Sequence, residues 1–259
     1  MKRVLHHLTR SLIILLALLG ILAPTVASGT PAGAASPNPG VLPPSSQAFG
    51  RTYGAWSAAF WQYVESQPAP SNPLVDTTGA NCRVGQSGPV FFLVGANGPG
   101  TIRRDECKVP AGKALFFPLV NAFDVHVSCD VAPAFCDTND TPLEIWNDLQ
   151  NNLGFGASAL HATVDGVAVQ NLNPATTPYQ ACAGPVPRCS APAFSLTFPA
   201  DNLFGLPAGT YAPAVADGFY LLLAPLAPGA HTISFGGTAT FNGGAFSEDI
   251  TYHLVVSSP

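Results

Sequence analysis

Carboxylates dominate the residues of this chain that could do chemistry. It carries 15 Asp+Glu against 10 Lys+Arg, and no cation lies between Lys113 and Arg188. Asp124, Asp130, Asp137, Asp140, Glu144, Asp148 and Asp165 fall in that interval. Among them, Asp137, Asn139, Asp140 and Glu144 place several oxygen donors in one short stretch, the ligand type that calcium takes. A structural Ca2+ is therefore one reading. The other is that Asp140 and Glu144 cap a helix and complement its N-terminal dipole. The spacing is not that of an EF-hand, because no glycine stands at the turn position.

Carboxylate pairs can also cleave glycosidic bonds, one acting as acid and the other as base or nucleophile. Asp105/Glu106 and Glu248/Asp249 are adjacent in sequence, and neighbours on a strand point to opposite faces. A working pair must therefore come from different strands. Asp124, Glu248 and Asp249 are the candidate acids, with His253 as the candidate histidine. Beyond the first ten residues, no close histidine pair and no H-E-x-x-H pattern occurs. A metal site of His126, His161 and His253 with Asp124 would have to be assembled by the fold. His231 shares a strand face with Ile233 and Phe235, which predicts a buried, hydrogen-bonded structural role. His161 and His253 alternate with apolar neighbours and face outward or into a groove. Gly85-Gln86-Ser87-Gly88 and Gly156-Ala157-Ser158-Ala159 both fall short of a nucleophile elbow. The glycine-rich Gly95 to Thr101 stretch lacks the lysine and following helix of a phosphate loop and reads as a β-turn.

The elements that must position these groups are mostly strands. Phe49, Tyr53, Trp56, Phe60 and Val64 recur at helical spacing, predicting an N-terminal aromatic helix stopped by Pro68 and Pro70. Trp56, Trp61 and Tyr63 are the candidate ligand-binding residues, as a sugar-stacking platform; the same aromatics could simply cap a β core. Thr141-Pro142-Leu143-Glu144 is a capping-box pattern with Pro at the first helical position. It predicts a helix over 141–153 with Leu143, Trp146, Leu149 and Leu153 on its apolar face. Short apolar runs bounded by turn residues read as strands, and Asp165-Gly166 marks a type I′ hairpin. Eight to ten such strands imply a mainly β fold, a two-sheet antiparallel β-sandwich or jelly roll.

The first ten residues hold three cations and are followed by an apolar run from Leu12 to Ala23, the order of a secretory signal peptide. Twelve residues reach about 18 Å as a helix, short of the roughly 30 Å bilayer core. Cleavage is expected after Ala27, or as late as Ala35. Removal of Lys2, Arg3 and Arg10 leaves seven Lys+Arg against 15 Asp+Glu, a formal charge of −8 rather than −5. That balance argues against nucleic acid and anionic lipid as partners. The mature chain has no membrane-spanning run. Residues 28–48 read as a Pro/Gly/Ser/Ala linker and 49–257 as a single domain. Six cysteines in an exported chain read as disulfides, and proximity suggests Cys82–Cys107, Cys129–Cys136 and Cys182–Cys189.

The blocks Trp56-Ser57-Ala58-Ala59-Phe60-Trp61-Gln62, Gly85-Gln86-Ser87-Gly88-Pro89-Val90-Phe91-Phe92-Leu93, Val109-Pro110-Ala111-Gly112-Lys113-Ala114-Leu115-Phe116-Phe117-Pro118 and Pro228-Gly229-Ala230-His231-Thr232-Ile233 resemble, in this order, a group of secreted bacterial proteins. The resemblance implies export and carries over no catalytic residue. The leading expectation is a non-catalytic, disulfide-stabilised β-sandwich that binds carbohydrate or another envelope component. An extracellular polysaccharide hydrolase or lyase is the first alternative, and a structural envelope or matrix role the second.

Overall fold

The computed structural model describes residues 38–258 apart from 135, 137, 139 and 140. The expected signal peptide and the Asp137, Asn139 and Asp140 of the calcium reading lie outside them. In chain order the elements are α1 (Tyr53–Glu65), β1 (Val90–Phe92), β2 (Gly100–Arg104), β3 (Lys108–Val109) and β4 (Ala114–Val125). Then come α2 (Pro142–Asn147), β5 (Gly156–Val164), β6 (Val167–Ala168), β7 (Gln180–Gly184), β8 (Ala191–Pro192) and β9 (Phe194–Phe198). The long strands β10 (Gly209–Leu223), β11 (Gly229–Phe241) and β12 (Gly244–Val256) complete the chain.

The strands form two sheets, as a sandwich requires. One runs β1-β4-β10-β7-β8 with β9 on the rest of β10, and the other β2-β12-β11-β5-β6 with β3 further along β12. The sheets pack through rings such as Phe117 and Phe235, 4.7 Å apart. α1 covers the opposite face of the first sheet, where Tyr53 meets Phe116 and Phe60 meets Tyr220. β4 is thus buried on both faces, which explains its nearly unbroken apolar sequence.

The sheets are mixed rather than purely antiparallel. β1 lies parallel to β4, β2 and β3 to β12, and β7 to β8. Parallel neighbours need a long crossover, and the chain supplies one by placing β2 and β3 in the second sheet between β1 and β4. Residues 38–42 also depart from the linker reading. Val41 bridges to Leu223, Leu42 N–H donates to Leu222, and Asn38 is buried against Tyr179 and Gln170. The folded unit therefore begins upstream of residue 49.

Local signals are otherwise followed closely. Thr52 caps α1, and Thr141 with Glu144 forms the capping box of α2. The apolar face of α2 is rotated from the expected one: Ile145, Trp146 and Leu149 are buried, whereas Leu143 and Leu153 are 50% and 40% exposed. A π turn over Asp148–Asn152 widens the helix there and carries Leu153 off the stripe. Asp165 and Gly166 both have positive φ, as a type I′ turn demands. The three disulfides pair as proximity suggested.

One irregularity in β4 redirects its second half. Phe219 pairs with Val120 but Tyr220 with Pro118, so Leu119 is an extra residue in β4. Such a bulge reverses the alternation beyond it. Phe116 faces α1 before the bulge, and after it Asn121 and Phe123 do so, with the Phe123 ring 4.5 Å from Trp61.

Candidate functional site

A cavity of about 290 Å³ opens where the C-terminal half of α1, β4 and the β11–β12 hairpin converge. Its walls are largely aromatic: Phe60 and Trp61 from α1, Phe123 from β4, Phe204, Phe241 and Phe246. Loop residues Leu74 and Gly95 to Gly98 form its rim. Two carboxyls, Glu65 and Glu248, and the amide of Asn121 also line it.

Three buried polar atoms of the lining residues are not spent on the protein. Glu65 Oε1, Trp61 Nε1 and Asn121 Nδ2 are shielded from solvent and have no hydrogen-bond partner. They are the buried side-chain atoms in that state among the described residues, and all three belong to residues lining this cavity. An unpaired buried polar group costs about 1–3 kcal/mol, so their convergence requires an explanation. Ser57, Trp61 and Glu65 follow one another at i, i+4 along α1, a second inward row beside the aromatic stripe. Ser57 Oγ donates to the Tyr220 hydroxyl at 3.0 Å. Trp61 and Asn121 approach the same hydroxyl without hydrogen-bond geometry to it.

The two carboxyls are tuned differently. Burial alone pushes the Glu65 pKa up to about 8. Burial also raises Glu248, to about 7, but there it is opposed by the Ala96 N–H and by the charge of Arg104. The Ala96 bond to Glu248 Oε2 is 2.8 Å. Glu248 interrupts an otherwise apolar inward row of β12, Phe246, Ile250, Tyr252, Leu254 and Val256.

Arg104 braces the rim from beneath. It is almost wholly buried, and its guanidinium donates to the carbonyls of Asp76, Val94, Pro73 and Gly95 and to the Tyr252 hydroxyl. The Tyr252 ring also lies 5.1 Å from it. Arg104 thereby ties the 73–76 loop to the 94–95 segment, the two stretches that reach the cavity. Asp76 in turn accepts the N–H groups of Thr78, Gly79 and Asn81.

Gly95 is needed because the Glu248 carboxylate lies against it: a Cβ built there would sit 2.5 Å from Oε2. Gly95→Ala is expected to push the carboxylate off the Ala96 N–H and raise the Glu248 pKa above about 7. A carbon-13 NMR titration of the glutamate carboxyls measures this, and an unchanged Glu248 titration would refute it.

The other predicted site residues are dispersed. Trp56, Trp61 and Tyr63 are all buried, so they form no exposed stacking strip; Trp61 alone of the three reaches the cavity. Trp56 and Tyr63 instead pack on Phe92. Asp124 lines a neighbouring cavity of about 230 Å³ and accepts the Val125 N–H. Asp249 points to the opposite face from Glu248 and meets His161 at 3.4 Å. His253 binds Asp105 at 2.6 Å. His231 is held by Asp165 and the Ala227 carbonyl, so the expected hydrogen bonds form, but it is partly exposed rather than buried. Asp124 and these histidines do not converge, and no group of three His, Cys, Asp or Glu among the described residues could hold a metal ion. Glu144, the one described member of the calcium set, is engaged in the α2 capping box.

Sequence patterning alone does not single out Glu65, Asn121 or Arg104. For Glu65 the available signal is its i+4 spacing from Trp61. Asn121 has none, because the bulge decides its direction. No helix among the described residues is long and apolar enough to cross a membrane. Comparison with known proteins finds no family model, no curated protein and no solved structure that matches the chain.

Proposed function

We propose that this is an exported binding protein whose aromatic cavity takes one ring of a neutral extracellular saccharide. The three disulfides fit an exported, stabilised protein. The reading is carried by the unpartnered polar atoms of Glu65, Trp61 and Asn121, three residues that line one aromatic cavity. A sugar ring needs this combination, with aromatic faces for its C–H surfaces and convergent donors and acceptors for its hydroxyls. The net negative charge disfavours anionic glycans.

An array of neutral oligosaccharides and polyuronides tests it. Retention is expected on neutral saccharides and not on polyuronides. Asn121→Ala and Trp61→Phe remove the unpartnered Nδ2 and Nε1 and are expected to weaken retention at least tenfold, with near-UV circular dichroism reporting that each variant is folded. Absence of retention on every neutral saccharide, or equal retention by both variants, counts against the reading.

A further inference from the structure

Glu65 and Glu248 come from different elements, α1 and β12, yet line one cavity. Adjacent acids on one strand could not do this. We infer that the cavity cleaves the glycosidic bond of the saccharide it binds, with Glu65 as proton donor and Glu248 as base. The inference rests on the saccharide reading above and adds a reaction to it.

The surroundings assign the two roles. Glu65 Oε1 receives no hydrogen bond, and no cation contributes to its environment. A carboxyl so placed keeps its proton, which is what a general acid requires. Glu248 accepts the Ala96 N–H and lies in the field of the buried Arg104. Both stabilise the carboxylate, the form that a base requires.

The step balances with water as the co-reactant. Glu248 removes a proton from water as the water oxygen bonds to the anomeric carbon. The bond from that carbon to the glycosidic oxygen breaks, and the oxygen leaves with the proton of Glu65. Two hydroxyl-terminated sugars result, and water admitted to the cavity as they leave carries the proton from Glu248 back to Glu65. Hydrolysis is preferred to elimination because a lyase acts on uronate rings, which the acidic chain disfavours.

The test pairs retention with turnover. Hexasaccharides of glucose, xylose, mannose and N-acetylglucosamine are incubated with the wild-type protein, Glu65→Gln and Glu248→Gln in oxygen-18 water. Products are read by mass spectrometry. At least one hexasaccharide is expected to be shortened, with oxygen-18 at the new reducing end. Either glutamine variant is expected to lose at least about 100-fold in rate with a far smaller fall in retention, and near-UV circular dichroism reports that each variant is folded. Retention without shortening overturns the catalytic inference and leaves the binding reading standing. Shortening that survives in either variant overturns the residue assignment, and a product lighter by one water overturns hydrolysis. Failure to retain any hexasaccharide overturns the binding reading and the inference with it.

Discussion

Arg104→Ala is expected to unfold at a much lower urea concentration than the parent protein, with a loss of about 4 kcal/mol or more. The substitution strands the carbonyls of Asp76, Pro73 and Gly95 in a buried site and leaves the Val94 carbonyl and the Tyr252 hydroxyl with only each other. It also removes the cation that offsets the burial of Glu248. Against a typical total stability of about 5–15 kcal/mol, such a loss is a large fraction of what holds the fold. Arg104→Lys is expected to recover only part of it, because an ammonium has three donors and no planar fork to span the 73–76 and 94–95 segments. An Arg104→Ala protein within about 1 kcal/mol of the parent would show that these bonds form no connected brace.

The second large effect concerns pH. Glu65 has its pKa raised from 4.5 to about 8 by burial. Below pH 4.5 the carboxyl is protonated in both folded and unfolded chains and imposes no penalty. Between 4.5 and 8 the unfolded chain ionises while the folded one keeps its proton, so stability falls as pH rises. Above 8 the full penalty is present, about 5 kcal/mol. Glu65→Gln removes this dependence. Its melting temperature is therefore expected to exceed the parent's by roughly 10 °C at pH 9, with the gap closing by pH 4.5. Calorimetric scans across that range decide the matter. A gap of constant size would mean that Glu65 does not titrate as its burial dictates. The parent also carries the Glu248 contribution, over the narrower window from 4.5 to about 7, and Glu65→Gln leaves that part in place.

The features readable in the sequence are those set by near neighbours in the chain. The capping box of α2, the Asp165-Gly166 turn and the short disulfide loops each depend on a few consecutive residues, and each forms as expected. Glu248 is also legible, because a lone carboxylate in an alternating apolar strand must face the core. Arg104 is hidden by its element. The glycine-rich approach to β2 reads as a turn, and β2 is a strand only because it pairs in parallel with β12, far along the chain. The Leu119 bulge is likewise invisible, since it is a property of the register between β4 and β10. Yet it turns Asn121 and Phe123 toward α1. The candidate site is thus half legible: its acids and aromatics are conspicuous residue types, but their convergence depends on long-range pairing.

Phe204 stands between the two neighbouring cavities and lines both. Its ring meets Phe123 and Phe198 edge-on. The turn that carries it is clamped by Asn202, whose side chain bonds to Pro199, Phe204 and Leu206. Although 44% exposed, the ring is therefore mounted on a braced turn and acts as a fixed partition. Phe123 lines both chambers too, so a shorter side chain at position 204 would open one part of a two-ring wall between them. Under the saccharide reading proposed above, the length of chain that fits depends on this two-ring wall rather than on Glu65 and Glu248.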